Sequence, residues 1–235
     1  AGNIAAINQL DSVAKLLPKE QEDSYKGYFA LVKSGLEEPL TTHADHFNTN
    51  FAYSLASYSK GAVFLEQLGY IVGDSVRDKI LQEYYRLWRF KHPGVNDFLQ
   101  VAERVSKMKL DWYREYWVNT TKTIDYGIDS LWEVGNQTLI RIRRIGKMPM
   151  PIDLQMEFKD GSRMLAYVPQ LDMFGEKPVE DPSMFRKVYE PWKLTHPDYV
   201  LAIDRKIADL KSIEIDPTQR MADLERRNNR LEVPW

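Results

Sequence analysis

Apolar residues recur at helical spacing through the first half of the chain. Helices are predicted over 4–16, 24–33, 74–90, 97–107 and 112–117. Pro18 ends the first of these, and Gly35 suits the C-cap of the second. Side chains suited to N-capping precede or open the last three, namely Asp74, Asn96 and Asp111. With a loop at 36–47, the chain is predicted to be helix and loop up to about residue 120.

The periodicity changes near residue 121, where apolar and polar residues begin to alternate. This alternation predicts strands over 124–134, 138–145, 152–158, 163–168, 199–203 and 207–215. Lys159-Asp160-Gly161-Ser162 predicts a hairpin turn. Pro-rich loops separate the strands, and residues 221–231 are predicted to be a polar tail. We therefore predict an α+β protein, with a helical module at 1–120 and an antiparallel β-sandwich at 121–235.

One stretch, residues 48–69, combines a buried helix with a polar entry. Asn48 or Thr49 suits its N-cap. The residues from 62 to 68 are apolar almost all round, which predicts burial of that part. Tyr53 lies in the entry, and Tyr58-Ser59-Lys60-Gly61 follows five residues later. This stretch is therefore the first place to look for a site.

Composition narrows the class of protein. The 32 basic and 34 acidic residues give a net charge of −2, which predicts no nucleic-acid partner. The chain has no cysteine, so a cysteine-ligated metal site is excluded. No apolar run is long enough to predict a membrane span. The first residues lack an initiator Met and a signal peptide, and we expect a processed or cut terminus.

Two short motifs resemble catalytic or metal-binding patterns, but we expect neither to form such a site. Ser57-x-x-Lys60 resembles the nucleophile motif of penicillin-recognising acyltransferases, but Lys33-Ser34-Gly35 precedes it, whereas that family's third motif follows. His43, Asp45 and His46 could form part of a metal site, but no further ligand-type residue lies at a familiar spacing from them. We therefore expect His43 and His46 to be ordinary loop histidines.

Two groups of large or charged residues are also expected to be structural. The aromatic helix at 112–117 is predicted to pack at the junction of the two parts. The arginines are predicted to lie on solvated faces, both in the strand (Arg141, Arg143 and Arg144) and in the tail (Arg226, Arg227 and Arg230).

Tyr58 has two interpretations from its local sequence. A hydroxyl one turn into a helix can donate a hydrogen bond to a developing oxyanion. The more common alternative is a core tyrosine whose hydroxyl is satisfied internally.

The order of motifs from Tyr53 to about residue 126 favours the first interpretation. Tyr58-Ser-Lys-Gly-Ala-Val-Phe-Leu-Glu-Gln-Leu-Gly is followed by a helix, by Asn96-Asp97-Phe98, and by Asp111-Trp-Tyr-Arg-Glu-Tyr-Trp117. This succession resembles the aminopeptidase N family of zinc metallopeptidases, the gluzincins. The resemblance implies the helical half of a thermolysin-like catalytic domain, followed by a sandwich of immunoglobulin or fibronectin type.

The resemblance also implies roles for four residues. Tyr58 matches the family tyrosine that donates its hydroxyl to the tetrahedral intermediate, and Tyr53 matches a second tyrosine near the peptide substrate. Lys60 and Gly61 match the motif scaffold.

The chain departs from that family upstream of Tyr58. The family's zinc ligands come from a His-Glu-x-x-His helix and a later glutamate, and the 57 residues before Tyr58 contain neither. We therefore expect a C-terminal piece of a longer metallopeptidase, which binds no catalytic zinc and hydrolyses nothing alone. The alternative is a non-catalytic scaffold that binds proteins. Export is an expectation only because several relatives are exported, and the compartment otherwise stays open.

Overall fold

The structure, a computed structural model, describes residues 21–233 and contains both helices and sheets, as the α+β prediction requires. The predicted helix at 4–16 lies outside the described residues. The α-helices are α1 (Glu22–Ser34), α2 (Asn50–Ser54), α3 (Gly61–Val72), α4 (Asp74–Trp88), α5 (Val95–Ser106) and α6 (Asp111–Val118), and a π-helical turn (Leu55–Lys60) joins α2 to α3.

The helix ends confirm one predicted capping residue and contradict three. Gly35 adopts the left-handed conformation after α1, as predicted (φ 69°). The three predicted N-caps are wrong, because Gly73, Gly94 and Leu110 hold those positions. At α5 the backbone N–H of Gly94 donates to the Asp97 carboxylate at 2.7 Å. The acidic residue therefore acts from inside the first turn, and the helix begins earlier than predicted.

Eight strands form two sheets within the described residues. They are β1 (Tyr126–Val134), β2 (Gln137–Arg144), β3 (Ile152–Phe158), β4 (Arg163–Val168), β5 (Phe185–Val188), β6 (Asp198–Ile203), β7 (Leu210–Ile215) and β8 (Arg230–Glu232). One sheet has the order β1-β2-β6, and the other has the order β5-β4-β3-β7-β8. The β3–β4 hairpin runs in register from Ile152 opposite Val168 to Glu157 opposite Arg163, as the Asp160-Gly161 turn predicts.

Two edge strands depart from the prediction. β5 lies in a segment predicted to be a Pro-rich loop, and it pairs parallel to β4, so the sheets are not wholly antiparallel. β8 lies in the segment predicted to be a polar tail. That segment is instead partly buried: Met221 and Ala222 are fully buried, and Arg226 pairs with Asp216 at 3.4 Å.

Helices and sheets share one hydrophobic core, which includes Leu68, Trp117, Ile142, Leu154 and Ile213. Polar contacts also join the two parts. The side chain of Gln67 on α3 donates to the carbonyl of Arg220 at 2.7 Å and accepts from the N–H of Ala222 at 3.1 Å.

Secondary structure changes between the end of α6 and the start of β1, close to residue 121. The division into independent domains at that point stays a prediction. No helix within residues 21–233 is long and apolar enough to cross a bilayer.

Candidate functional site

The candidate site lies on a helix whose regular winding is interrupted. Thr49, one of the two predicted N-caps, caps α2, and its hydroxyl accepts a hydrogen bond from the N–H of Ala52 at 3.0 Å. The π turn, Leu55–Lys60, then contains Tyr58 and ends at Gly61, where α-helical winding resumes. Single π turns inside helices are rare and occur frequently at functional sites.

The π turn has a buried face and an exposed face. Ala56 and Lys60 are fully buried, whereas the Tyr58 side chain is 75% exposed. The Tyr58 hydroxyl makes no hydrogen bond to any residue between 21 and 233. A core tyrosine is therefore the wrong interpretation of Tyr58.

Lys60 anchors the π turn from beneath. Its Nζ lies 2.8 Å from Oε1 of Glu37 and donates to the carbonyl of Thr120 at 3.2 Å. The Lys60 side chain is 0% exposed and that of Glu37 is 6% exposed. The ion pair therefore ties the turn both to the loop after α1 and to the chain just beyond α6.

Burial acts on both members of this pair. Loss of hydration lowers the pKa of Lys60, and the negative charge of Glu37 opposes that change. Loss of hydration likewise raises the pKa of Glu37, and the ammonium group of Lys60 opposes it. The pair therefore sits in a weakly hydrated layer, where an unpaired charge would be costly.

Helix α1 packs closely against the π turn. A Cβ atom on Gly27 would lie 2.3 Å from Oγ of Ser59, so only glycine fits this approach without a shift. Tyr28 is fully buried next to Trp117, with ring centroids 5.8 Å apart. Burial and the charge of Glu37 raise the pKa of Tyr28, which keeps its hydroxyl protonated.

The other two residues of the resemblance have different surroundings. Tyr53 is 37% exposed and packs edge-on against Phe47, with centroids 5.6 Å apart. Gly61 has ordinary helical backbone angles, and a Cβ there would meet only the carbonyl of Ala56, at 3.9 Å. The described contacts therefore give no steric reason for glycine at 61.

The fold does not bring the acyltransferase-like or histidine motifs together into a site. Ser57 is exposed, whereas Lys60 points inward to Glu37, so the two do not form a nucleophile–base pair. The ring of His43 accepts from the N–H of Asp45 at 3.2 Å, which makes it a cap of a short 3₁₀ turn. No group of three or more metal-ligating side chains occurs in the described part of the chain.

The aromatic and basic groups outside the site are structural. Trp112, Tyr113 and Trp117 are buried, and the Tyr113 hydroxyl donates to the carbonyl of Phe64, which confirms a packing role, while their placement at the junction of the two parts stays a prediction. Their ring contacts include the helical residues Tyr28 and Phe64. Arg143 on β2 is half-exposed and pairs with Asp198 on β6 at 2.9 Å.

Glu37 is the site residue that sequence reasoning missed. It lies in a loop, 23 positions before Lys60, and belongs to no recognisable motif. The only available indication was indirect: a lysine predicted next to a buried helix needs a carboxylate nearby. Glu37 and Glu38 were equally eligible, and Glu38 instead accepts from the side chain of Asn48 at 3.0 Å.

No protein-family model matches this chain, and no curated protein matches it either. The resemblance to aminopeptidase N therefore rests on the motif residues themselves.

Proposed function

We propose that this chain is the C-terminal region of a zinc-dependent, aminopeptidase N-like metallopeptidase and supplies the tyrosine that stabilises the oxyanion. One observation carries the proposal. The hydroxyl-bearing side chain of Tyr58 is 75% exposed, whereas Lys60, two residues later, is fully buried in an ion pair. Within the motif Tyr58-Ser59-Lys60-Gly61, Lys60 thus points into the protein and Tyr58 points to solvent.

The Tyr58 hydroxyl suits a developing oxyanion. A tyrosine hydroxyl stays protonated at neutral pH and can donate one hydrogen bond. Its stabilising effect depends on being held in place before the charge develops, because reorganisation would consume part of the gain. Lys60, Glu37 and the carbonyl of Thr120 fix the backbone that carries Tyr58.

The residues near Tyr58 suit the remaining roles in this proposal. Tyr53, half exposed on the preceding turn, would line the path of the peptide substrate. Lys60 is the positioning residue. Gly61 stays assigned to the motif scaffold by resemblance, without a packing reason of its own.

The residues described between 21 and 233 do not fit a zinc site. We therefore propose that the zinc ligands and the general base lie outside this chain, and no catalytic step is assigned to zinc here. The helices would belong to the helical half of a thermolysin-like catalytic domain. The two sheets would form an accessory sandwich of immunoglobulin or fibronectin type.

A non-catalytic scaffold is the second candidate, and one observation favours it. Leu36, Phe51, Tyr53 and Tyr58 are all at least 37% exposed and come from one stretch of the chain. Exposed apolar side chains are typical of protein-binding surfaces where they lie together.

Zinc content and peptidase activity separate the two candidates. The chain alone should hold no stoichiometric zinc and cleave no aminopeptidase substrate. The product of the complete reading frame should hold one zinc per molecule and release N-terminal residues. Zinc and activity in the chain alone would contradict the proposed division of the site, and their absence from the complete product would favour the scaffold.

A further inference from the structure

The C-terminal end of α4 presents two aromatic and several basic side chains to solvent. Phe90 is 97% exposed and Tyr85 is 65% exposed. Arg89 and Lys91 lie on either side of Phe90 and are also exposed. We call Tyr85, Arg89, Phe90 and Lys91 the basic aromatic tip.

The backbone at the tip holds Phe90 in an unusual conformation. Its φ angle is 62°, in the left-handed region, where a bulky side chain is disfavoured and glycine is the common residue after a helix. An aromatic residue that is both strained and fully exposed gains nothing from packing. Such an outlier is a candidate for a role outside the folded chain, and the charge of its neighbours decides which ligand it would suit.

The charge of this segment differs from that of the whole chain. Between Lys79 and His92 four basic side chains stand against one acidic one, Glu83. The hydrogen bond from Arg86, at 2.7 Å, lowers the pKa of Glu83 and keeps it ionised and paired. Arg89 and Lys91 form no ion pair with any residue of the described range, although the Lys91 ammonium lies 5.6 Å from the ring centroid of Trp88. No carboxylate of that range compensates either charge, so both can attract an anion.

We propose that the basic aromatic tip is a docking surface for an anionic lipid bilayer. Arg89 and Lys91 would face the lipid headgroups, while the ring of Phe90 enters the interface between them. This inference does not depend on the proposed peptidase function.

Size and shape favour a bilayer over a protein partner. A stable protein interface covers roughly 800 Å² on each side and needs a pocket for its aromatic anchors. The tip offers two aromatic side chains, and one of them projects almost completely. A fluid interface accepts a single projecting ring without a preformed pocket, and each basic residue near an anionic surface adds about 1 kcal/mol, which predicts weak, reversible association.

Vesicle flotation with the full chain tests this inference. The chain should bind vesicles containing about 30% phosphatidylserine, fail to bind pure phosphatidylcholine, and dissociate at about 0.5 M salt. Phe90→Ala should weaken binding about tenfold, because it removes the apolar ring. Replacing both Arg89 and Lys91 by Ala should weaken it about twentyfold or more, at about fivefold for each charge.

Phe174→Ala is the matched control. Phe174 is also exposed, at 77%, and also has a left-handed backbone (φ 48°), but Asp172 and Glu176 flank it. This variant should bind like the wild type. Circular dichroism would verify that each variant folds.

Three outcomes would overturn the proposal. The first is equal binding to both kinds of vesicle, and the second is an equal effect of Phe90→Ala and Phe174→Ala. The third is tighter binding to a soluble polyglutamate peptide than to phosphatidylserine vesicles, which would indicate an acidic protein partner.

Discussion

Lys60 and Lys177 are both lysines with fully buried side chains, yet they occupy different surroundings. Lys60 contacts one carboxylate, that of Glu37, and one backbone carbonyl. Lys177 contacts two carboxylates, Asp153 and Glu180, and its ammonium group lies 4.2 Å from the ring centroid of Tyr70.

The two lysines also lie next to different parts of the structure. Lys60 underlies an exposed tyrosine, so its pairing holds a surface group in place. Lys177 joins the segment after β4 to β3 and to α3, at the contact between sheets and helices. A buried lysine is therefore not evidence of a site by itself. The groups around a buried lysine decide whether it positions a functional side chain or joins two parts of the fold.

Removing the two lysines should separate these roles by stability. Lys177→Met leaves the buried Asp153 carboxylate without a cation, while Glu180 keeps Arg220 at 3.2 Å, and should lower the unfolding free energy by about 4–5 kcal/mol. Lys60→Met leaves only Glu37, which can take up a proton because its pKa is already raised, and should cost about 3 kcal/mol. Urea denaturation measures both values.

Lys79→Met is the control for these variants. Lys79 is exposed and forms no ion pair with residues 21–233, so the change should stay within about 0.5 kcal/mol. A smaller loss for Lys177→Met than for Lys60→Met would contradict the different roles assigned to the two lysines.

Asp216 should make the junction between helices and sheets sensitive to pH. Its carboxylate is 1% exposed and accepts from the N–H of Met221 at 2.7 Å, while Arg226 lies 3.4 Å away. Burial raises the pKa of Asp216 to about 6, although Arg226 opposes this change. The protonated form is therefore favoured by folding.

The sign of the effect follows from the two pKa values of this group. Its stabilising contribution is fully present below the unfolded value of about 3.9 and is lost as pH rises through about 6. The wild type should thus lose up to about 3 kcal/mol relative to Asp216→Asn between about pH 3 and pH 7. A difference between the two proteins that is flat or grows with pH would be inconsistent with this.

Two glycines near Tyr58 should respond in opposite directions. Gly27→Ala pushes α1 away from Ser59 and should cost about 1–3 kcal/mol. Gly61→Ala has space and helical angles, and should stabilise the fold by about 0.5–1 kcal/mol. Thermal unfolding of both variants measures this contrast, and equal destabilisation would show that the site layer is packed differently.

Local patterns predict much of the fold, and tertiary pairing explains where they fail. The hairpin of β3 and β4 was predicted because Asp160-Gly161 fixes its turn. β5 was missed because its residues do not alternate in burial, and its pairing with β4 is parallel and non-local. β8, with the sequence Arg-Leu-Glu, is too short and charged to indicate a strand.

The same distinction applies to the candidate site. Tyr53, Tyr58, Lys60 and Gly61 lie within nine positions, so a motif could identify them. Tyr58 lies exposed in a π turn, which no local pattern predicts. Glu37 comes from another segment, and its partner is fixed only when α1 packs against the turn.

The kcat of Tyr58→Phe in the product of the complete reading frame tests the central claim most directly. Losing a single oxyanion donor should lower kcat by about 10²–10³-fold, with zinc content unchanged. Tyr85→Phe is the matched control, because Tyr85 is 65% exposed on α4 and should leave kcat unaltered. Equal kcat values for the wild type and Tyr58→Phe would contradict the role assigned to Tyr58.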